Sequence, residues 1–398
     1  MTVITYENEA PETFDKSIFL AGPSPREASV QSWRPEALRI LKDLGYNGVV
    51  YVPEFSTRPD SGFDYSGVID WEDRQLNRSD QIVFWVPRDM KTFPALTTNV
   101  EWGRWENSGK VVLGFPPNTP HMGYLDTYAG KEGAPVFHDL RSTLIEAVKK
   151  LGPGASRSGG ERDIPLHIWE TVEFQSWYES QTAARNRLDG AKLVWSFRVG
   201  KNRERCFMWA LHVNMWITSE NRAKINEVIL QRPDIFALVA YHLNRLPHYD
   251  SPLQGFLDAE VVLVREFRSP AVTKDGFIHE LPGGSVKDDG DMSPGAKAVE
   301  EFEEEIGIAI PTRRIKSIGT RQLYGTLLTH RAHVFAAELS ESEILRLKWM
   351  KDVPHGIEAD SERTFVEVRT IRDILRSSDV DWGNLGMILS AMTDGRWE

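Results

Sequence analysis

Across residues 1–151, short apolar runs alternate with stretches of helical spacing, and this alternation restricts the fold more than any other feature of the chain. Ser17–Leu20 is apolar and ends in Ala21-Gly22-Pro23, the pattern of a strand entering a tight loop. Val30 to Leu44 has helical spacing and closes at Gly45, which suits a helix C-terminus. Gly48–Val52, Gln81–Val86 and Lys110–Gly114 are further buried-strand candidates, separated by helical stretches at Trp71–Arg78 and Val100–Asn107. His138–Leu151 supplies a last helix. Strands that alternate with helices predict a parallel sheet with both faces covered.

Beyond this region the pattern changes. Gly152–Asp163 is rich in Gly, Ser and charge and is expected to be a linker, followed by an amphipathic piece at Trp169–Leu188. Leu193–Val199, Cys206–Thr218, Ile235–Tyr241 and Glu260–Glu266 are β-rich. A helix dense in glutamate is expected at Pro294–Ile306, and another near Ile371–Arg376. This mixture predicts an α+β domain. The expected division is therefore 1–151, a linker and accessory helix at 152–190, and 191–398; a chain of 398 residues exceeds what one core usually supports.

Charge and composition limit the partners. The net charge of −11 opposes wholesale binding to nucleic acid but permits a small anionic substrate held by a metal ion or a local arginine cluster. No apolar run approaches the roughly 20 residues of a membrane helix, and the acidic N-terminus lacks the regions of a signal peptide. The single Cys206 excludes an intrachain disulfide or a cysteine-based zinc cluster. A cytoplasmic protein without membrane or nucleic-acid partners is expected.

In the second half, Glu301, Glu304 and Glu305 stand at i, i+3 and i+4, so a helix places their carboxylates on one face. Clustered carboxylates repel unless a cation lies between them, and hard oxygen ligands suit Mg²⁺ or Mn²⁺. A solvated acidic face is the competing reading. Val299, Phe302 and Ile306 on the other side show that the helix is docked. The Gly283-Gly284 turn ahead of it lets backbone come close to a metal and phosphate.

This segment resembles the Nudix box, G-x5-E-x7-R-E-U-x-E-E-x-G-U, with Gly284, Glu301, Phe302, Glu304, Glu305, Gly307 and Ile308 matching. Val261–Arg268 and Glu280-Leu281-Pro282-Gly283-Gly284 are most similar to the ADP-ribose/ADP-sugar pyrophosphatase branch. The resemblance implies metal-assisted hydrolysis of a nucleoside diphosphate linkage. Metal would sit on Glu301, Glu304, Glu305 and Gly284, with Glu304 catalytic and Arg265, Arg268 and Glu280 holding substrate. It also implies a further base from a late loop, for which Glu358 and Glu362 are the candidates. The loop before Glu301 is two residues longer than the pattern, no glutamate stands at mid-box, where Asp289 and Asp291 are the candidate substitutes, and Glu300 replaces the box arginine. Members of that branch often dimerise through the β-rich segment ahead of the box. Trp195, Phe197, Trp209 and Trp216 would serve a homodimer or pack their own core.

In the first half, the loop opened by Gly22 carries Ser24 and Arg26 at a sheet edge where ligands commonly bind. These residues either grip a phosphate or form plain loop surface. Glu72, Asp73 and Glu101 lie on consecutive helical stretches, where a carboxylate pair could attack a sugar anomeric carbon and protonate the leaving base. On chemistry alone the simpler reading is preferred: Glu101 is a favourable acidic residue in a helix first turn. Residues 17 to about 150 resemble the nucleoside 2-deoxyribosyltransferase-like family through Ile18–Pro23, Trp71-Glu72, Ser79–Trp85 and Asn99-Val100-Glu101-Trp102-Gly103. That resemblance implies a Rossmann- or flavodoxin-like sheet with helices on both faces, ahead of the α+β Nudix domain. Glu101 would be the nucleophile, Glu72 or Asp73 would contact sugar or base, and Gly22, Ser24, Arg26 and Asn99 would bind substrate.

Together the two resemblances predict a bifunctional hydrolase of a nucleotide or nucleotide sugar. One half would cleave a diphosphate linkage and the other an N-glycosidic bond, by hydrolysis or transfer. Two alternatives remain: a diphosphatase with a regulatory nucleotide-binding domain, or an N-glycosidase carrying a degenerate, ligand-sensing Nudix half.

Overall fold

A computed structural model describes residues 1–27, 29–55, 64–244, 251–286, 293–356 and 363–394. It separates into two units, Met1–Arg232 and Pro233–Glu398.

The first unit is built on a six-stranded sheet whose strands run in the order Thr2–Ile4, Val49–Tyr51, Ser17–Ala21, Gln81–Trp85, Val111–Gly114 and Val136–Phe137. Every pairing in it is parallel. Without the short first strand this is the flavodoxin-like order 2-1-3-4-5. Side chains alternate along each strand, so Ile18, Leu20, Val50, Val83 and Val112 pack against Ile40, Leu41 and Leu144. Phe19, Tyr51, Ile82, Phe84 and Leu113 pack on the other face against Trp71, Leu76, Trp102 and Trp105. The expected doubly covered parallel sheet is what forms.

Helix boundaries follow local chemistry. Arg34–Asp43 begins later than Val30 because Pro35, which has no N–H to leave unsatisfied, stands in the first turn. Ser66–Arg78 and Leu96–Trp105 both begin earlier than the apolar spacing suggested. A further helix, Gly123–Glu132, is absent from the sequence reading because its apolar positions are interrupted by glycine and threonine.

The segment expected to be a linker is instead part of the first unit. Ala155 N–H donates to the Asp15 carbonyl at 3.0 Å, and Arg157–Ser158 pairs with Thr13–Phe14. The Arg157 guanidinium is fully buried against Asp80, 2.7 Å away. Asp80 also accepts from Ser17 and from the Leu166 N–H, so its charge is satisfied on every side. Strands Arg187–Val199, Arg205–Ile217 and Arg222–Gln231 form an antiparallel sheet in this unit as well, tied to it through Asp163, which accepts from Arg78 at 2.8 Å and from the Ala191 N–H at 3.3 Å. The division thus falls at Arg232, beyond the expected boundaries at 151 and 191. One face of that small sheet buries Trp209, Leu211 and Val213 against Phe174; Trp195 and Phe197 stack on each other in the open.

The second unit is a mixed eight-stranded sheet. Its central strand, Ile235–His242, is parallel to Arg331–Glu338 and antiparallel to Glu260–Phe267. The helix Pro294–Ile306 covers one face through Phe302 and Ile306. Ile371–Arg376 and Trp382–Thr393 cover the other through Ile371, Ile388 and Met392. Among the described residues no helix is long and apolar enough to cross a membrane.

Candidate active site

The C-terminal edge of the parallel sheet is organised by a residue the sequence reading passed over. Gly22 ends its strand at φ +142°, and a Cβ there would lie 2.2 Å from the Trp85 carbonyl oxygen, so only glycine fits. The chain then turns through Pro23 and Ser24 around the Arg34 guanidinium, which is 1% exposed. Arg34 donates to the carbonyls of Leu20 (3.1 Å) and Gly22 (2.7 Å), to Ser24 Oγ (3.0 Å) and to Glu54 Oε1 (2.6 Å). Trp33 donates to the Pro23 carbonyl at 3.1 Å and lies under the guanidinium. One cation therefore joins the loops that follow two neighbouring strands. The sequence did carry a signal: an arginine at the first position of a helix opposes the macrodipole and needs a tertiary reason.

Glu72 and Glu101 face this centre from consecutive helices, each partly exposed. Burial pushes the Glu101 carboxyl up to about 7, the negative charge of Glu72 adds to the rise, and Arg34 and Arg104 oppose it. Burial also raises Glu72, to about 6, against the pull of Arg34. Two interacting carboxyls with raised values titrate as a pair, so between these values one proton is shared between them. Such a pair offers an ionised carboxylate and a carboxylic acid at the same pH. Asp73, the alternative to Glu72, instead pairs with Arg104 at 2.5 Å.

The remaining residues expected here are placed as follows. Ser24 is exposed, with its hydroxyl oxygen accepting from Arg34. Arg26 is exposed on the same loop, its N–H bonded to the Thr92 carbonyl at 3.1 Å. Asn99 Oδ1 accepts from Arg88 at 2.5 Å, and Arg88 also donates to the His121 carbonyl at 2.6 Å. Residues two apart on a helix do not share a face, so Asn99 is held away from Glu101.

In the second unit, the helix Pro294–Ile306 brings Glu301 and Glu305 against the Gly283–Ser285 strand. Glu305 accepts from the Gly283 N–H at 3.0 Å, and a Cβ on Gly284 would lie 3.0 Å from Glu301 Oε1. Burial, then the charges of Glu280, Glu301 and Glu266, push the Glu305 carboxyl well above the usual range. Glu304 is on the exposed side of the helix, and Glu300 pairs outward with Lys297 at 3.2 Å. The oxygen donors suit Mg²⁺ or Mn²⁺, yet among the described residues no three acidic, histidine or cysteine side chains converge as metal ligands would.

Arg265 is not brought to these glutamates. Strand alternation puts it on the opposite sheet face, beside His279 and Glu367, with its guanidinium between the rings of Phe277 (4.7 Å) and Phe365 (5.1 Å). Arg268 pairs with Glu266 at 2.8 Å. Glu358, Glu362, Asp289 and Asp291 lie outside the described residues.

Residues 15–119 match the family model described as "Nucleoside 2-deoxyribosyltransferase like". That span holds the Gly22 loop, Arg34, Glu72 and Glu101. The match supports a nucleoside 2-deoxyribosyltransferase-like domain there, and no family match supports a Nudix domain in the second unit. No curated protein matches the chain.

Proposed function

We propose that the first unit cleaves, or transfers across, the N-glycosidic bond of a nucleoside or nucleotide, with Glu101 as nucleophile and Glu72 as its proton-carrying partner. The observation that carries this reading is the coupled Glu101–Glu72 pair beside buried Arg34, within the span that matches the family. Glu101 holds its proton more tightly than Glu72, so the reactive form, with Glu101 ionised and the proton on Glu72, is the minor tautomer of the singly protonated pair. In that form the Glu101 carboxylate attacks the anomeric carbon while the bond to the base breaks, and the electron pair leaves on the base nitrogen, which takes the proton from Glu72. Water, or a second base, then attacks the glycosyl ester, and its proton passes back to the Glu72 carboxylate. Hydrolysis yields free base and sugar. Arg34 touches no reacting atom: it holds the Gly22–Ser24 loop and tempers both carboxyls. Ser24 and Arg26 stand on that loop, where a 5′-phosphate would be met.

The test is release of free base from a nucleoside and nucleoside monophosphate panel, followed by liquid chromatography and mass spectrometry. Wild type and Arg34→Lys should release base, and Glu101→Gln should not. Release by Glu101→Gln at the wild-type rate would remove the proposed nucleophile.

A second reading assigns diphosphate hydrolysis to the second unit, with Mg²⁺ or Mn²⁺ as cofactor and a nucleotide or nucleotide sugar as substrate. The specific observation in its favour is Glu305, buried among Glu280, Glu301 and Glu266 with its carboxyl raised. A cation between these carboxylates would relieve that repulsion. Monophosphate release from ADP-ribose in the presence of Mg²⁺, absent in Glu301→Gln, would establish it.

A further inference from the structure

The second unit holds an open groove of about 420 Å³ between its last helix and the free edge of its sheet. The floor is formed by Gly319 and Arg321 of the edge strand Lys316–Gln322, with Val334 and Ala332 opposite them in register. The roof is the helix Trp382–Thr393, which contributes Gly383, Gly386 and Ser390. A helix laid on a sheet normally fills the layer between them with interlocking side chains. Here glycine stands where a side chain would close the space: a Cβ on Gly319 or on Gly386 would meet nothing within 4 Å.

The walls are chemically uneven. Trp382 stands at the mouth with 83% of its surface exposed, and Tyr324 beside Gly383 is 47% exposed. Arg321, exposed on the floor, has no side-chain hydrogen bond or ion pair among the described residues. The groove is therefore apolar at its centre, aromatic at one end and cationic along one side. Its volume is within the roughly 300–1,000 Å³ of small-molecule sites.

We propose that this groove binds a planar heteroaromatic group bearing an anionic substituent, the chemistry of a nucleoside monophosphate. The ring system stacks on Trp382, an arrangement available to any base because every base has a π-face. The anion meets Arg321, whose planar fork suits a phosphate. The site is on the sheet face opposite the Glu301–Glu305 helix, so it is separate from the carboxylate cluster of the same unit. It is also independent of the reading of the first unit, since none of its residues belongs to it.

The experiment is calorimetric titration of the full chain with AMP and with adenosine in a Glu101→Gln background that removes turnover. The groove is read as the binding event that Gly386→Leu removes, since the first unit is proposed to bind the same ligands. Gly386→Leu fills the groove, and because leucine favours helix over glycine the variant should fold at least as well. AMP binding is expected to weaken at least tenfold in Gly386→Leu and in Trp382→Ala. AMP should bind about tenfold more tightly than adenosine, and Arg321→Gln should abolish that difference. No AMP binding at millimolar concentration, or affinities unchanged by Gly386→Leu and Trp382→Ala, would overturn the proposal. Equal affinities for AMP and adenosine would overturn the anion half of it. Base release by Gly386→Leu alone, measured separately, reports on the first unit and not on the groove.

Discussion

The Arg34 guanidinium, 1% exposed, donates to the Glu54 carboxylate across 2.6 Å and thereby joins the loops after two adjacent strands. Breaking a buried ion pair from one side costs about 3–5 kcal/mol, and the low end applies here because Glu54 is 22% exposed and can rehydrate. Arg34→Met is expected to lower the melting temperature of the first unit. It should also raise the pH at which Glu72 and Glu101 ionise, since both feel its charge. A melting temperature and pH profile like those of the wild type would show that the cation is incidental.

The pH dependence of base release is expected to be bell-shaped. Activity requires one proton on the Glu72–Glu101 pair, so it rises as the first carboxyl ionises near about 6 and falls as the second ionises near about 7. Glu72→Gln is expected to lower kcat by about 10²–10⁴-fold, the usual worth of a general acid. It should also leave a single limb, the rise of activity as Glu101 ionises, at a pH below about 7, because the negative charge that helped raise Glu101 is gone. Initial rates between pH 5 and pH 9 check all three; a remaining limb still near about 7 would argue that the two carboxyls do not interact.

Arg157 and Asp80 are both fully buried, so Arg157→Met leaves an uncompensated carboxylate in the core. A loss of about 3–5 kcal/mol is expected, measured by denaturant unfolding. The same substitution should open residues 152–163 to limited proteolysis, whereas the wild-type segment should resist it. Cleavage of the wild type within this segment at the rate of an ordinary linker would contradict its packing.

Glu305 makes a prediction about the second unit. Its folded-state carboxyl is raised above the unfolded value, which is about 4.3 for glutamate. Its contribution to stability is thus complete below about pH 4.3 and is lost as pH rises through the folded value. With EDTA present, Glu305→Gln is expected to flatten this decline of melting temperature with pH. Millimolar Mg²⁺ should raise the wild-type transition if the cation draws the carboxylates together, and should leave Glu301→Gln unchanged. An ion concentration of about 100 times Kd would add about 2.7 kcal/mol. A Mg²⁺-insensitive wild type would remove the second unit from consideration as a diphosphatase.

What local pattern can determine was legible in the chain. Apolar runs such as Ile18–Leu20 and Ile82–Trp85, spaced by amphipathic helices, carry enough periodicity to specify a doubly covered parallel sheet. The i, i+4 spacing of Glu301 and Glu305 likewise put both on one side of a helix. Glu101 and Glu72 are nominated by the resemblance of their short motifs to a known family and not by periodicity, which leaves Glu101 as an ordinary first-turn glutamate.

Which of these side chains meet was decided only in three dimensions. The sheet order brings Arg34 to Ser24 and Glu54, and selects Glu72 over Asp73 as the neighbour of Glu101, through contacts that span 10 to 20 residues or more. Strand alternation puts Arg265, expected to hold substrate, on the sheet face opposite Glu301 and Glu305. The Gly-rich stretch after Leu151 has a linker's composition but is fastened by its strand pairing with Thr13–Phe14 and by the buried pair Arg157 with Asp80, 77 residues apart. Composition and periodicity report the tendency of a segment taken alone; burial and charge pairing belong to residues far apart in the chain, and only the closed fold brings them together.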